Sequence, residues 1–244
     1  MKSFQVILNT RRPKMVRKRY KMKNEKLCAK NLFDYSKTIA KPLLETVEFP
    51  WEALTKIKDF IIELGKTLDP EIYEQRGENI WVAKSATIYP SAYLGGPLII
   101  CEDAEVRHCA FIRGSAIVGK GAVVGNSTEL KNSILFDGVQ VPHYNYIGDS
   151  ILGYKAHTGA GTITSNLKSD KSLVTVMLEG EKVETDVKKF GAMLGDYVEV
   201  GCNSVLNPGS VVGRQTNIYP LSFVRGYVPE KSIYKRLGEV AQKR

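Results

Sequence analysis

Histidine is scarce in this chain, with three among 244 residues, and there are only four cysteines and two tryptophans. Cys28, Cys101, Cys109 and Cys202 show no CxxC spacing, so nothing points to a zinc knot or a disulfide frame. A reduced, cytoplasmic protein is the expectation. Long apolar runs are missing as well. None approaches the roughly 18–20 residues of a membrane span, and residues 1–30 lack the apolar stretch and small-residue cleavage site of a secretory signal. No membrane partner is expected.

Acidic side chains are missing from one place, the first 23 residues, which carry nine basic ones. The net charge of +9 comes from 35 Lys+Arg against 26 Asp+Glu, so removing the leader leaves 26 against 26. A surplus of this size normally suggests nucleic acid or an anionic surface. Here the body is neutral, and no nucleic-acid partner is expected for it. For the leader three readings stay open: translation starting at Met22, a solvated basic tail, or a nucleic-acid arm. A transit peptide fits poorly, because Ser3 is the one serine and Pro13 interrupts the segment. Apolar content of 43% and charged content of 25% describe a globular chain of one large or two small domains.

What the sequence does contain is a period. Val82, Ile88, Leu94, Ile100, Val106, Ile112, Val118, Val124 and Leu130 follow at unbroken steps of six, with mostly small residues four places after each. The pattern returns at Leu194, Val200, Leu206, Val212, Ile218 and Val224. A period of six belongs neither to a helix nor to a strand. It fits a parallel β-helix of short strands whose aliphatic side chains stack in columns, eighteen residues advancing one strand spacing of about 4.8 Å. The register slips by one residue near 136–140 and near 147–151. Residues 165–189 break it, with Lys168, Lys171 and a hairpin turn at Glu179-Gly180. This inserted loop is either a binding element or a plain surface excursion.

Four regions follow: the leader 1–23, a helical segment 24–79, the β-helix 80–229, and a short C-terminal helix or tail over 230–244. In the second, Pro50 suits a first helical position, and Trp51, Leu54, Ile57, Ile61 and Leu64 mark one apolar face. Gly65 suits a C-terminal cap, and Asp69-Pro70 a second helix start. The segment is expected to cap the solenoid.

Of the histidines, His143 falls at the third place of a repeat, where a side chain leaves the solenoid. It reads as a general base or as an exposed turn residue, and His108 and His157 as exposed turn residues. Trimeric β-helices resembling the γ-class carbonic anhydrases bind zinc through histidines. His108 and His143 lie two coils apart, about 10 Å along the axis, too far for shared ligation. No metal site is expected.

Residues 112–166, through IRGSAIVGKGAVVGNSTELKNS and HYNYIGDSILGYKAHTGAGTITSN, resemble the acetyltransferase half of the bifunctional UDP-N-acetylglucosamine pyrophosphorylase/glucosamine-1-phosphate acetyltransferases. GAMLGDYVEVGCNSVLNPGSVVG resembles the later coils less specifically. The resemblance implies a mainly β fold, a left-handed β-helix, a homotrimer with sites between subunits, and acetyl-CoA as co-substrate. It implies His143 as catalytic base, taking a proton from a sugar amine. Arg113 and Lys131 fall on sugar-phosphate and nucleotide contacts, and Tyr146 on an acceptor-sugar contact. Ala160 and Asn166 match positions that line the family's acetyl-CoA site. Glu129 also agrees with the pattern.

Three positions depart from it. His157 stands where the family has an acceptor-binding asparagine, Leu167 where a tyrosine is usual, and Cys202 where a CoA-lining serine is usual. The pyrophosphorylase half is not expected, since about 80 residues before the solenoid cannot hold it. The expected function is N-acetylation of an amino-sugar phosphate or nucleotide-linked amino sugar. A non-catalytic trimer that binds a sugar nucleotide or a partner, and an O-acyltransferase, are the alternatives.

Overall fold

The computed structural model describes residues 24–243; the basic leader lies outside them. The six-residue period builds a left-handed parallel β-helix, triangular in section. Its first face stacks Val82, Ile100, Val118, Leu135, Leu152, Leu194, Val212 and Val228 in one inward column. The second stacks Ile88, Val106, Val124, Val141, Thr158, Val200, Ile218 and Tyr234, and the third Leu94, Ile112, Leu130, Ile147, Thr164, Leu206 and Val224. These side chains are the core, and nearly all are fully buried.

The two register slips sit at one corner. Strands Glu129–Leu135 and Tyr146–Leu152 run unbroken from the third face into the first. Leu130 to Leu135 and Ile147 to Leu152 are therefore steps of five. The second slip falls where the sequence placed it; the first lies slightly earlier than 136–140. In the next coil the same corner carries the insertion, so that Thr164 pairs onward with Leu206. Its hairpin, Thr175–Leu178 with Glu181–Glu184, turns at Glu179 and Gly180, both with positive φ (50° and 84°). Val174, Val176, Leu178 and Val183 are buried, so the loop folds back on the solenoid beside Gly209 and Gly226.

The N-terminal segment differs from the expectation in three ways. It is helical only in pieces, short turns followed by one nine-residue helix, Ile57–Gly65. Asp69-Pro70 starts no helix: the Asp69 carbonyl accepts from Ile72 and Tyr73, closing a turn into strand Tyr73–Gly77, which pairs antiparallel with Ile80–Ala83. And the segment lies along a side of the prism. Its helix contacts strands Leu98–Ile100, Ala116–Val118 and Glu129–Leu135. The outward residues Ile99, Ile117, Ile134, Ile151, Met193 and Val211 of the first face are fully buried. At about 1.5–3 kcal/mol for each such side chain, a bare first face would be untenable. Gly65 serves close approach: a Cβ there would meet the Trp81 ring at 2.3 Å.

The C-terminal helix expected over 230–244 is a β-hairpin, Ser232–Arg236 with Glu239–Gln242. Tyr234 continues the second-face column six residues after Val228, so the solenoid period persists past Pro229. An antiparallel strand thus ends the parallel stack at both ends. Among the described residues no helix is long and apolar enough to cross a membrane.

Candidate active site

The shortened corner brings distant residues together. Asn132, Asp149 and Asn166 occupy the equivalent place in three successive coils, 17 residues apart. Asp149, its side chain 5% exposed, is the centre of this column. Lys131 Nζ donates to both its oxygens (3.0 and 2.8 Å), Asn132 Nδ2 donates to Oδ1 (2.9 Å), and Asn166 Nδ2 donates to Oδ2. Asn132 also donates to the Leu54 carbonyl at 3.1 Å, and Asn166 to the Tyr146 hydroxyl at 3.2 Å. Each amide thus spends both its hydrogens, which fixes its orientation. Asn132 and Asp149 hold positive φ, 50° and 47°, a conformation these two residue types tolerate best among non-glycines.

Tyr146 lies outward on the third face beside this column. Burial, reinforced by the charges of Asp149 and Glu129, raises its phenol above the ordinary range. The hydroxyl therefore stays protonated, and since it accepts from Asn166, its own hydrogen is left for a ligand. One coil earlier, Arg113 Nη1 donates to Glu129 Oε1 at 2.8 Å. Both cations of the site are thus already paired with carboxylates.

The other edge of the third face is the corner coming from the second. There His108, Asn126, His143, Ala160 and Cys202 stack one per coil, linked through backbone bonds such as Gly161 N–H to the His143 carbonyl at 3.0 Å. His143 is exposed, three residues before Tyr146 and so about 10 Å from it along the chain. His108 is held by Ser91, Oγ to Nδ1 at 2.8 Å. Gly159 permits the next coil to pass: a Cβ on it would lie 2.6 Å from Cys202 N. Among the described residues the backbone N–H groups of Ala160 and Cys202 have no acceptor. Small side chains and free N–H groups along this ridge fit a narrow arm bearing amides and a thioester, such as that of acetyl-CoA.

Eight of the nine residues singled out from the sequence therefore lie on the third face or its two edges: Arg113, Glu129, Lys131, His143, Tyr146, Ala160, Asn166 and Cys202. His157 does not. It points outward from the second face, its Nδ1 2.8 Å from Glu199 Oε2, in a shallow pocket of about 360 Å³ shared with Gln140 and Lys155. Of the loop lysines, Lys168 borders a cavity of about 340 Å³ with Asn207 and Arg225, and Lys171 does not. The residues missed were Asp149, Asn132 and Glu199. The first two were readable once the coil length was taken as 17, because Asn-Asp-Asn then falls into one column.

Comparison with known proteins places the chain. Residues 94–187 match the family described as the GMPPB C-terminal domain. The bifunctional protein GlmU of Methanococcus vannielii is 37% identical over 142 residues, 58% of this chain and 34% of its own length. The bifunctional sugar-1-phosphate nucleotidylyltransferase/acetyltransferase of Sulfurisphaera tokodaii is 30% identical over 194 residues, 72% of this chain and 46% of its own. The chain thus spans less than half the length of these relatives. Among solved structures, the polySia-specific acetyltransferase NeuO is 15% identical, covering 65% of this chain and 80% of that one, with a TM-score of 0.45.

Proposed function

We propose that this chain, which is similar to the bifunctional GlmU proteins, transfers the acetyl group of acetyl-CoA to the amine of an amino-sugar phosphate or nucleotide-linked amino sugar in the cytoplasm. The observation that carries this is the gathering of Lys131, Asn166 and Tyr146 around one buried carboxylate, on a face whose opposite edge bears His143. Acetyl-CoA supplies an acyl carbon activated as a thioester. His143 takes the proton of the amine as the N–C bond forms and delivers it to the sulfur as the C–S bond breaks. The free N–H groups of Ala160 and Cys202 are suited to hold the acyl oxygen. Arg113 and Lys131 hold the acceptor's phosphate, and Tyr146 a sugar hydroxyl. Lys168 and Arg225 suit the phosphates of CoA.

A single chain keeps His157 and Glu199 around a corner from Tyr146. A homotrimer that sets the second face of one copy against the third face of the next completes the site. Thiol release from acetyl-CoA over a panel of amino-sugar phosphates tests the reading. The His143→Ala variant is expected to lose about 10²–10⁴ in rate, and wild-type turnover by it would remove the assigned base. The departures at His157 and Cys202 favour a second reading, a trimer that binds a sugar nucleotide without turnover. It predicts ligand binding with no thiol release from any amine. Release with hydroxyl acceptors alone would instead mark an O-acyltransferase.

A further inference from the structure

The Asp149 column has a property that its individual residues do not. Four donor contacts from three side chains converge on one carboxylate that is nearly sealed from water. The contributors come from the two coils that flank its own, Lys131 and Asn132 from the one before and Asn166 from the one after, and Asn132 is anchored in addition to Leu54 of the N-terminal segment. The carboxylate therefore does two things at once. It fixes where the Lys131 ammonium and the Asn166 amide stand, and it cancels the charge of Lys131. With Arg113 likewise paired to Glu129 at 2.8 Å, the third-face site is neutral before any acceptor enters.

We propose that Asp149 is the positioning residue of this site. Resting on the acetyltransferase reading, it trades raw anion affinity for geometry. A phosphate reaching Lys131 must share it with Asp149, which weakens phosphate binding. In return Lys131 is held at one point beside Tyr146 and Asn166, and the acceptor amine is delivered in one orientation. Asn132 extends the same network to the helical segment, so that covering the first face and ordering the site are coupled.

The consequence is a split between binding and turnover. In Asp149→Asn the new amide nitrogen faces donors and loosens the column on one side, and Lys131 loses its counter-charge. Inorganic phosphate is expected to bind several-fold more tightly, on the order of the gain from one charge-assisted hydrogen bond. KM for the phosphorylated acceptor should fall with it. The kcat should drop about 100-fold, the effect of a small misplacement of a substrate-holding group. Asp149→Glu, which keeps the charge, should restore wild-type phosphate affinity. Lys131→Ala in the Asp149→Asn background should abolish the gain. Asn132→Gly, which tolerates the positive φ and removes the tie to Leu54, supplies a second probe should Asp149→Asn not fold; it should lower kcat, and the two lost hydrogen bonds should lower the thermal midpoint as well.

Phosphate affinity is read by titration calorimetry and turnover by thiol release. The first does not depend on the second, so a chain without transferase activity still tests the column. Phosphate affinity unchanged in Asp149→Asn, or a gain that persists without Lys131, would overturn the proposal. So would a kcat that holds at the wild-type value in every variant that folds, or a KM in Asp149→Asn that stays level or rises.

Discussion

Two threonines stand in inward columns that are otherwise almost wholly aliphatic, and their hydroxyls have opposite fates. Thr164 Oγ1 accepts from Gly148 N–H at 2.9 Å and donates to the Tyr146 carbonyl at 3.2 Å, so it helps hold the residue before Asp149. Thr158 Oγ1, fully buried between Val141 and Val200, has no partner among the described residues. An unpaired buried hydroxyl costs about 1–3 kcal/mol. Thr158→Val is therefore expected to stabilise the chain by about 1–2 kcal/mol, a rise in thermal midpoint of roughly 2–8 °C for a protein this size. Thr164→Val should do the reverse, because it strands the Gly148 donor, and it should also lower turnover. Calorimetric melting of the two variants separates them. A Thr158→Val that melts below wild type would mean the hydroxyl is in fact satisfied.

At the scale of elements, the N-terminal segment is joined to the solenoid through two aspartates. Asp196 accepts from the Asp34 and Tyr154 N–H groups (2.8 and 2.9 Å) and pairs with Arg214. Asp137 accepts from Lys120 N–H at 2.9 Å, while its own N–H donates to the Lys37 carbonyl. Burial raises both carboxyls above the ordinary value of 3.8. A carboxyl raised on folding binds more protons in the native state, so ionising it in place lowers stability as pH climbs from 3.8 through the folded pKa. Asp137→Asn keeps the acceptor for Lys120 and removes that cost. It should melt above wild type at pH 7, and the difference should vanish below about pH 3; a variant less stable at both would refute the assignment. Much of this architecture was legible beforehand. The period of six named the coil, and both steps of five showed as slips, the one at Gly148–Asp149 in place and the one at Lys131–Asn132 a few residues late. The C-terminal hairpin was misread because Pro229 looks like a helix start, although Val228 to Tyr234 keeps the period. Asp149 was passed over for a different reason. Its partners lie 17 and 18 residues away, and no local pattern reports a contact made by one turn of a solenoid.

Over the whole molecule the three faces differ in what they show to solvent, and the difference bears on assembly. The first is covered by residues of the same chain. The second presents mostly polar side chains, among them Glu105, Gln140, His157, Glu199 and Asn217. The third exposes Tyr93, Phe111, Ile163 and Phe223 at 60%, 43%, 41% and 50%. Tyr93 and Phe111 pack edge to face at 5.3 Å, which orders them as a surface. Large aromatics bury about 150–250 Å² each, so this column approaches the few hundred Å² at which an exposed patch marks a contact. In the proposed trimer these two unlike free faces meet head to tail, and a rotation of 120° closes the assembly after three copies. That arrangement brings His157 and Glu199 of one copy toward Tyr146 of the next, so assembly and activity should be lost together. Light scattering on the purified chain is expected to give three chains per particle. Tyr93→Glu, on the same face two coils before Glu129, should shift the particle to one chain and reduce thiol release to background. A monomeric wild type with full turnover would show that one chain suffices, and would leave His157 without a part in the reaction.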